Sequence, residues 1–193
     1  MSAYEQGIAA IKAAFERALA SGRRNMNAMS LATVDENGAP SVRTVLMKGV
    51  DEQGLTFFTD ERSKKGRDLA SQAIASVCFY WEPIEEQARI DGTIERLEDS
   101  LVAADFKGRP RAGQILIWAS AQSQPLESAE ALKEAVARCE AAYPDDVPVP
   151  PFWAGYRLRP TYIETWKGSR DRMHERIAYA QGAEDWEQRR LMP

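Results

Sequence analysis

Histidine is nearly absent from this chain of 193 residues, which carries one, His174. Cysteine is almost as scarce, with Cys78 in an apolar run and Cys139 on a helical stretch. Two cysteines without a spacing pattern read as buried thiols, and one histidine without a CxxC excludes the usual zinc sites. There is no GxSxG, no phosphate loop of the GxxxxGK[ST] type and no run of carboxylates at metal-ligand spacing. No apolar run is long enough to span a bilayer. The first two dozen residues carry acids and lack a continuous apolar core, so they read as a mature helix, not a signal peptide, and the cytoplasm is the expected location. A basic surplus is also missing: the formal net charge is −4. That argues against general nucleic-acid binding, so any basic cluster is local and suits a small anion.

What is present is an ordinary globular composition in one domain, residues 1–193. Residues 4–20 place Ile8, Ile11, Ala14, Phe15 and Leu19 at helical spacing. Three strands then follow in "MNAMSLATV", "SVRTVLMKGV" and "LTFFT", joined by turns at Asn37-Gly38 and "DEQG", and they read as an antiparallel meander. A short helix begins near Ser63. "IASVCFYWEP" is a strand too apolar for one wet face, and "EEQARIDGTIERL" is another, with a bulge expected at Gly92. A helix, a break at Gly108-Arg109-Pro110 and a second helical piece follow. Ser128 then caps the clearest helix of the chain. After the proline-rich "PDDVPVPPF", closing strands occupy residues 154–193. The sum is a mainly β protein with flanking helices, an antiparallel barrel.

Three basic groups stand out. In "RTVLMK", alternation puts Arg43, Val45 and Met47 on one face and Thr44, Leu46 and Lys48 on the other. In "RSKKGR", Ser63 with Lys64 and Lys65 sets a hydroxyl, free N–H groups and two ammoniums at a helix start, where an anion is favoured; a solvated turn is the alternative. In "RDRMHER", a strand would put Arg172, His174 and Arg176 on one face. Either Asp171 and Glu175 neutralise them locally, or an anion lies against that face. Trp166 is core or the wall of a flat aromatic pocket. Any hard chemistry then belongs to an organic cofactor held by its phosphate.

These stretches, together with "EEQARIDGTIERL", "GRPRAGQILIWASAQS", "VPVPPFWAGYRL", "IETWKGSRDRMHER" and "RRLMP", run in order as in the pyridoxamine/pyridoxine 5′-phosphate oxidase family, which the chain resembles over nearly its whole length. The resemblance implies an antiparallel Greek-key split β-barrel of the FMN-binding type, a homodimer with FMN at its interface. It places FMN on Arg43, Thr44, Val45, Leu46, Met47, Lys48, Phe58, Thr59, Lys64, Lys65, Gln87, Gln122, Ser123, Trp166 and Arg176. It places the substrate on Lys48, Asp105, Arg109 and Gly113, with Arg172 and His174 as catalytic residues over its ring. The implied reaction is oxidation of pyridoxamine or pyridoxine 5′-phosphate to pyridoxal 5′-phosphate by hydride transfer to flavin N5, with O2 reoxidising the flavin to give H2O2. The alternatives are another flat ring substrate, such as a dihydrophenazine-type compound, or a non-catalytic flavin- or vitamin B6-binding protein.

The chain departs from the family pattern at Asp105, where a tyrosine is usual, and at Gly113, where a serine is usual. A carboxylate facing a phosphate would cost on the order of a few kcal/mol unless it turns to Lys107 or Arg109. The lost hydroxyl is worth about 1 kcal/mol. Phe58 and Lys64 replace a tyrosine and an arginine, and the Arg-x-x-Tyr segment that covers substrate in the family is not found.

Overall fold

The computed structural model describes residues 1–193. Ser2 opens α1 (Ala3–Ala20) with a reciprocal capping box to Glu5. Ile8, Ile11, Ala14 and Ala18 form its buried stripe, while Leu19 falls outside it and is exposed. The strands are β1 (Ala28–Val34), β2 (Pro40–Leu46), β3 (Gly49–Asp51), β4 (Gly54–Asp60), β5 (Ile74–Trp81), β6 (Glu86–Arg96), β7 (Trp153–Lys167), β8 (Glu175–Gln181) and β9 (Trp186–Arg190). The helices after α1 are α2 (Lys64–Ser71), α3 (Asp99–Lys107), α4 (Arg111–Ala119) and α5 (Ala129–Ala142). None of the helices is long and apolar enough to cross a membrane.

All pairings are antiparallel, in the order β2-β1-β5-β6-β7-β4-β3, with β8 and β9 continuing from β7. The expected meander is therefore split. The segment 41–50 breaks at Met47 and Lys48, so its first half pairs with β1 and its second with β4. Burial explains the break: Met47 is 3% exposed and turns into the core, which takes the chain out of the first ladder. The sheet curls, and β2 approaches β4 without a ladder between them, as in a split barrel. Its inner face holds Met29, Leu31, Leu55, Phe57, Val77, Phe79, Trp81, Ile90 and Leu158.

The strand "IASVCFYW" also differs from expectation. Its residues alternate, and Ile74 and Tyr80 are exposed on the outer face, beside Val42 and Leu46 of β2 and β1's Ser30. No helix of the same chain covers that face. The bulge at Gly92 is present: the β6–β7 register shifts between Asp91 and Gly92. A methyl at Gly92 would collide with the Arg159 carbonyl oxygen. A second small core of Val102, Phe106 and Trp153 fixes α3 and α4 against the start of β7. Burying Phe106 alone contributes roughly 2 kcal/mol. The helix Ser128 caps, α5, buries no residue fully.

Candidate active site

Two groups of predicted side chains assemble in the fold. The first gathers where β2, β4 and α2 meet. Arg43 donates to the Leu31 carbonyl (3.2 Å) and Thr33 Oγ1 (2.6 Å), and lies 3.6 Å from Asp68. Asp68 is buried on α2 and accepts from Thr33 (2.7 Å) and Lys64 (3.0 Å). Burial alone would raise the Asp68 pKa; the Thr33 hydroxyl, then Lys64 and Arg43, hold it below the ordinary value. For Arg43 burial dominates and pulls its pKa down, against Asp68.

The helix start does not offer its hydroxyl freely. Ser63 Oγ donates to the Asp60 carbonyl (2.6 Å) and accepts the Gly66 N–H (3.2 Å) as the cap of α2. Lys64 turns to Asp68 and Asp35, in a pocket separate from the site. Lys65 turns the other way. Its ammonium donates to Thr59 Oγ1 (2.9 Å), Gln122 Oε1 (3.0 Å) and Ser63 Oγ (3.2 Å), and no carboxylate lies within ion-pair distance. Burial lowers its pKa and Arg43 lowers it further, against a smaller opposite pull from Asp60, which is itself paired with Arg62. A half-buried ammonium with only neutral acceptors, beside a guanidinium, is electrostatically incomplete. An anionic phosphate completes it, so the residues present fit the phosphate of a flavin mononucleotide.

From Lys65 a cleft of about 230 Å³ runs between Thr44, Val45 and Leu46 of β2, Phe58 and Thr59 of β4, and Gln122, ending at Lys48 and Arg109. Met47 lies beneath as core and does not line it. Ser123 adjoins Gln122 in the left-handed region (φ 68°). At the far end Arg109 Nε and Nη2 both reach Asp105 Oδ2 at 2.8 Å. Lys48 Nζ is 3.6 Å from Asp105 Oδ1. The i,i+4 spacing across the α3 end and the Gly108 break makes the first contact; the turn to Arg109, rather than Lys107, follows from that break. Gly113 has open space where a side chain would begin.

The second group lies on β6, β7 and β8. Gln87, Trp166 and Arg176 sit side by side by register. Arg176 makes a two-pronged contact with buried Glu164 (2.9 and 2.7 Å), and Arg89 approaches the same carboxylate at 3.4 Å. The strand expected over 170–176 begins only at Glu175. Residues 169–174 turn instead: Asp171 accepts from Ser169 Oγ and the Met173 N–H, and Arg172 takes φ 62°. Arg172, His174 and Arg176 therefore do not share a strand face. His174 packs on Trp166, with ring centroids 4.8 Å apart, and its Nδ1 accepts the Ser169 N–H at 3.1 Å. A backbone N–H can only donate, so in the neutral ring the proton is on Nε2, which is left to serve a ligand. Arg172 is exposed and has no carboxylate partner.

No hydrogen bond or ion pair joins the two groups, and they line different clefts: the first lines the one that ends at Lys48 and Arg109, while Trp166 of the second lines one beside Arg17 and Glu86. Sequence reasoning found the cations of each but missed their anchors. Glu164 was findable, because it alternates with Trp166 along one strand face. Thr33 and Asp68 come together only through packing of α2 on β1, and nothing in their spacing signals it.

Comparison with known proteins gives a consistent answer. Residues 15–143 match the family model described as pyridoxamine 5′-phosphate oxidase, and residues 153–193 the pyridoxine 5′-phosphate oxidase C-terminal dimerisation region. The chain is 42% identical over 193 residues to the pyridoxine/pyridoxamine 5′-phosphate oxidase of Anaeromyxobacter dehalogenans, covering 100% of this chain and 98% of the relative. Identity to the protein of the same name from Alkalilimnicola ehrlichii is 44% over 196 residues, with 100% of both covered. Among solved structures, PhzG from Burkholderia lata in complex with tetrahydrophenazine-1-carboxylic acid superposes with a TM-score of 0.92 at 33% identity, covering 96% of this chain and 92% of that one. An FMN-binding protein from Nostoc punctiforme, at 22% identity and a TM-score of 0.76, shares the fold.

Proposed function

The chain belongs to the pyridoxamine 5′-phosphate oxidase family, an FMN-dependent oxidoreductase family, and from that premise we propose that it oxidises pyridoxamine or pyridoxine 5′-phosphate to pyridoxal 5′-phosphate as a homodimer with FMN at the interface. The observation that carries this reading is Lys65, a half-buried ammonium in the cleft that hydrogen-bonds only neutral oxygens and has no carboxylate within ion-pair distance. FMN, when bound, supplies a two-electron acceptor for the hydride on the carbon that bears the amine or alcohol, and O2 then takes the electrons to give H2O2.

The protein's part is placement. Lys65 and Arg43, with Ser123 and Gln122 beside them, would hold the cofactor's phosphate. Thr44 to Leu46 and Phe58 would flank its flat ring. Gln87, Trp166 and Arg176 do not reach it in the same chain: β1 and β5 lie between β2 and β6, and β4 pairs only with the first part of β7, Trp153 to Leu158, whereas Trp166 lies near the opposite end of that strand, where it pairs with β8. A second copy bringing its own Gln87, Trp166 and Arg176 against the first chain's cleft completes the site. Support comes from the match to a dimerisation region at residues 153–193, which contains β7 and β8, and from the uncovered apolar outer face of Val42, Leu46, Ile74 and Tyr80. Arg172 and the Nε2–H of His174 would clamp an anionic ring, and Lys48 and Arg109 would face its far end. A single domain over residues 1–193 supplies both halves.

The test is the visible spectrum of FMN-loaded protein under anaerobic conditions, before and after pyridoxamine 5′-phosphate is added. Bleaching of the flavin band with formation of pyridoxal 5′-phosphate is the expected result. A flavin band that persists with every pyridoxine-type ring refutes the oxidase reading.

A further inference from the structure

The two ends of the cleft are electrostatically different. At one, Lys65 faces only neutral oxygens. At the other, Lys48 and Arg109 already share a carboxylate, because each Asp105 oxygen holds one of them. The Asp105 side chain is 12% exposed and that of Arg109 21%. Arg109 is pinned from a second side, its guanidinium carbon 4.8 Å from the centroid of the Trp153 ring. The Nε and Nη2 that form the guanidinium's bidentate edge are both spent on Asp105 Oδ2. What remains there is one net positive charge. A phosphate ester brings about −1.5 to −2 at pH 7.

Taking the family reaction above as its basis, we propose that Asp105 is an in-chain competitor for the substrate's phosphate and the residue that sets specificity at this end of the cleft. It removes the preference for the phosphate ester, so the site takes flat hydroxymethyl- or aminomethyl-bearing rings without a phosphate nearly as well as their 5′-phosphates. Gly113 acts in the same direction. It stands in open space in the first turn of α4 and offers no side-chain donor to a phosphate. The ring itself is still recognised by the flavin, Arg172 and His174, which Asp105 does not touch.

The experiment compares FMN-loaded wild type with Asp105→Asn by calorimetric titration with pyridoxal 5′-phosphate and with pyridoxal at pH 8. In wild type the two dissociation constants are expected within about tenfold of each other. In Asp105→Asn the phosphate ester is expected to bind at least tenfold tighter, while pyridoxal shifts by less than threefold. Asp105→Ser removes the carboxylate without adding bulk and must move the ratio in the same direction. A ratio in both variants within twofold of wild type overturns the proposal. So does a wild type that already prefers the phosphate ester by more than a hundredfold. The same proteins are assayed for flavin bleaching by pyridoxamine and its 5′-phosphate. If neither ring bleaches the flavin, the oxidase reading fails while the binding ratio still judges Asp105.

Discussion

Replacing Lys65 by methionine separates cofactor binding from folding. Methionine keeps the aliphatic stem and deletes the ammonium. In the apoprotein little is lost. Thr59 Oγ1 still donates to Gln122 Oε1 at 3.2 Å, and Ser63 Oγ keeps its bonds to Asp60 and Gly66. No acceptor is orphaned, and a half-buried charge beside Arg43 disappears. The apoprotein's Tm is therefore expected to hold or rise by about 1–2 °C, which corresponds to roughly 0.5 kcal/mol for a domain of this size. FMN binding responds in the opposite sense. One charge-assisted contact to phosphate is worth roughly 1.5–3 kcal/mol, or about 10- to 150-fold in Kd. Titration of flavin fluorescence against apoprotein reads the affinity, and differential scanning calorimetry reads the Tm. An FMN affinity within threefold of wild type, in a variant that folds normally, would refute the placement of phosphate at Lys65. A fall in apoprotein Tm of several degrees would show instead that the ammonium is structural.

The same lysine predicts a pH dependence of cofactor affinity. Its pKa is depressed in the free protein, and a phosphate raises it, so binding takes up a proton once pH exceeds the depressed value; affinity is level below that point and falls as pH rises through it, in wild type and not in Lys65→Met. Arg172→Ala is expected to leave FMN affinity unchanged and to lower kcat/KM for pyridoxamine 5′-phosphate at least thirtyfold, since the exposed arginine has no structural ion pair; unchanged stopped-flow kinetics of flavin reduction would remove it from the clamp. Gly92→Ala forces a methyl onto the Arg159 carbonyl and is expected to cost about 3 kcal/mol or more in urea unfolding, whereas a loss below 1 kcal/mol would mean the bulge relaxes freely. Tyr156, pushed up to about 12 by burial and then by the charge of Glu61, contributes stability that is complete below pH 10 and lost as pH rises through 12. Absorbance at 295 nm should show a phenol titrating at that value in the native protein and missing in Tyr156→Phe.

Local features of this chain were legible because local energetics fix them. Ser63 and Ser128 announce their helices through hydrogen bonds three residues long. Gly92 marks a bulge because only a residue without a side chain tolerates the neighbouring carbonyl, and Pro110 ends one helix and precedes the next. The family motifs, read in order, named the basic residues of both groups apart from Arg89. The outcome for each cation was a matter of tertiary structure, since charges interact through space and not along the chain. Lys64 and Lys65 are adjacent in sequence, yet a helix start sends one to Asp68 and the other into the cleft. Residues 170–174 had the alternation of a strand, but Asp171 captures the backbone in a turn and scatters the three cations. Whether "SVRTVLMKGV" was one strand or two depended on Met47 finding a place in the core. Above all, Asp105 read in sequence as a carboxylate opposed to a phosphate unless it turned to Lys107 or Arg109. The i,i+4 spacing allowed Arg109, but only the tertiary structure chose it over Lys107 and brought Lys48 from the break between β2 and β3 onto the other oxygen, because charges attract through space over a few ångströms.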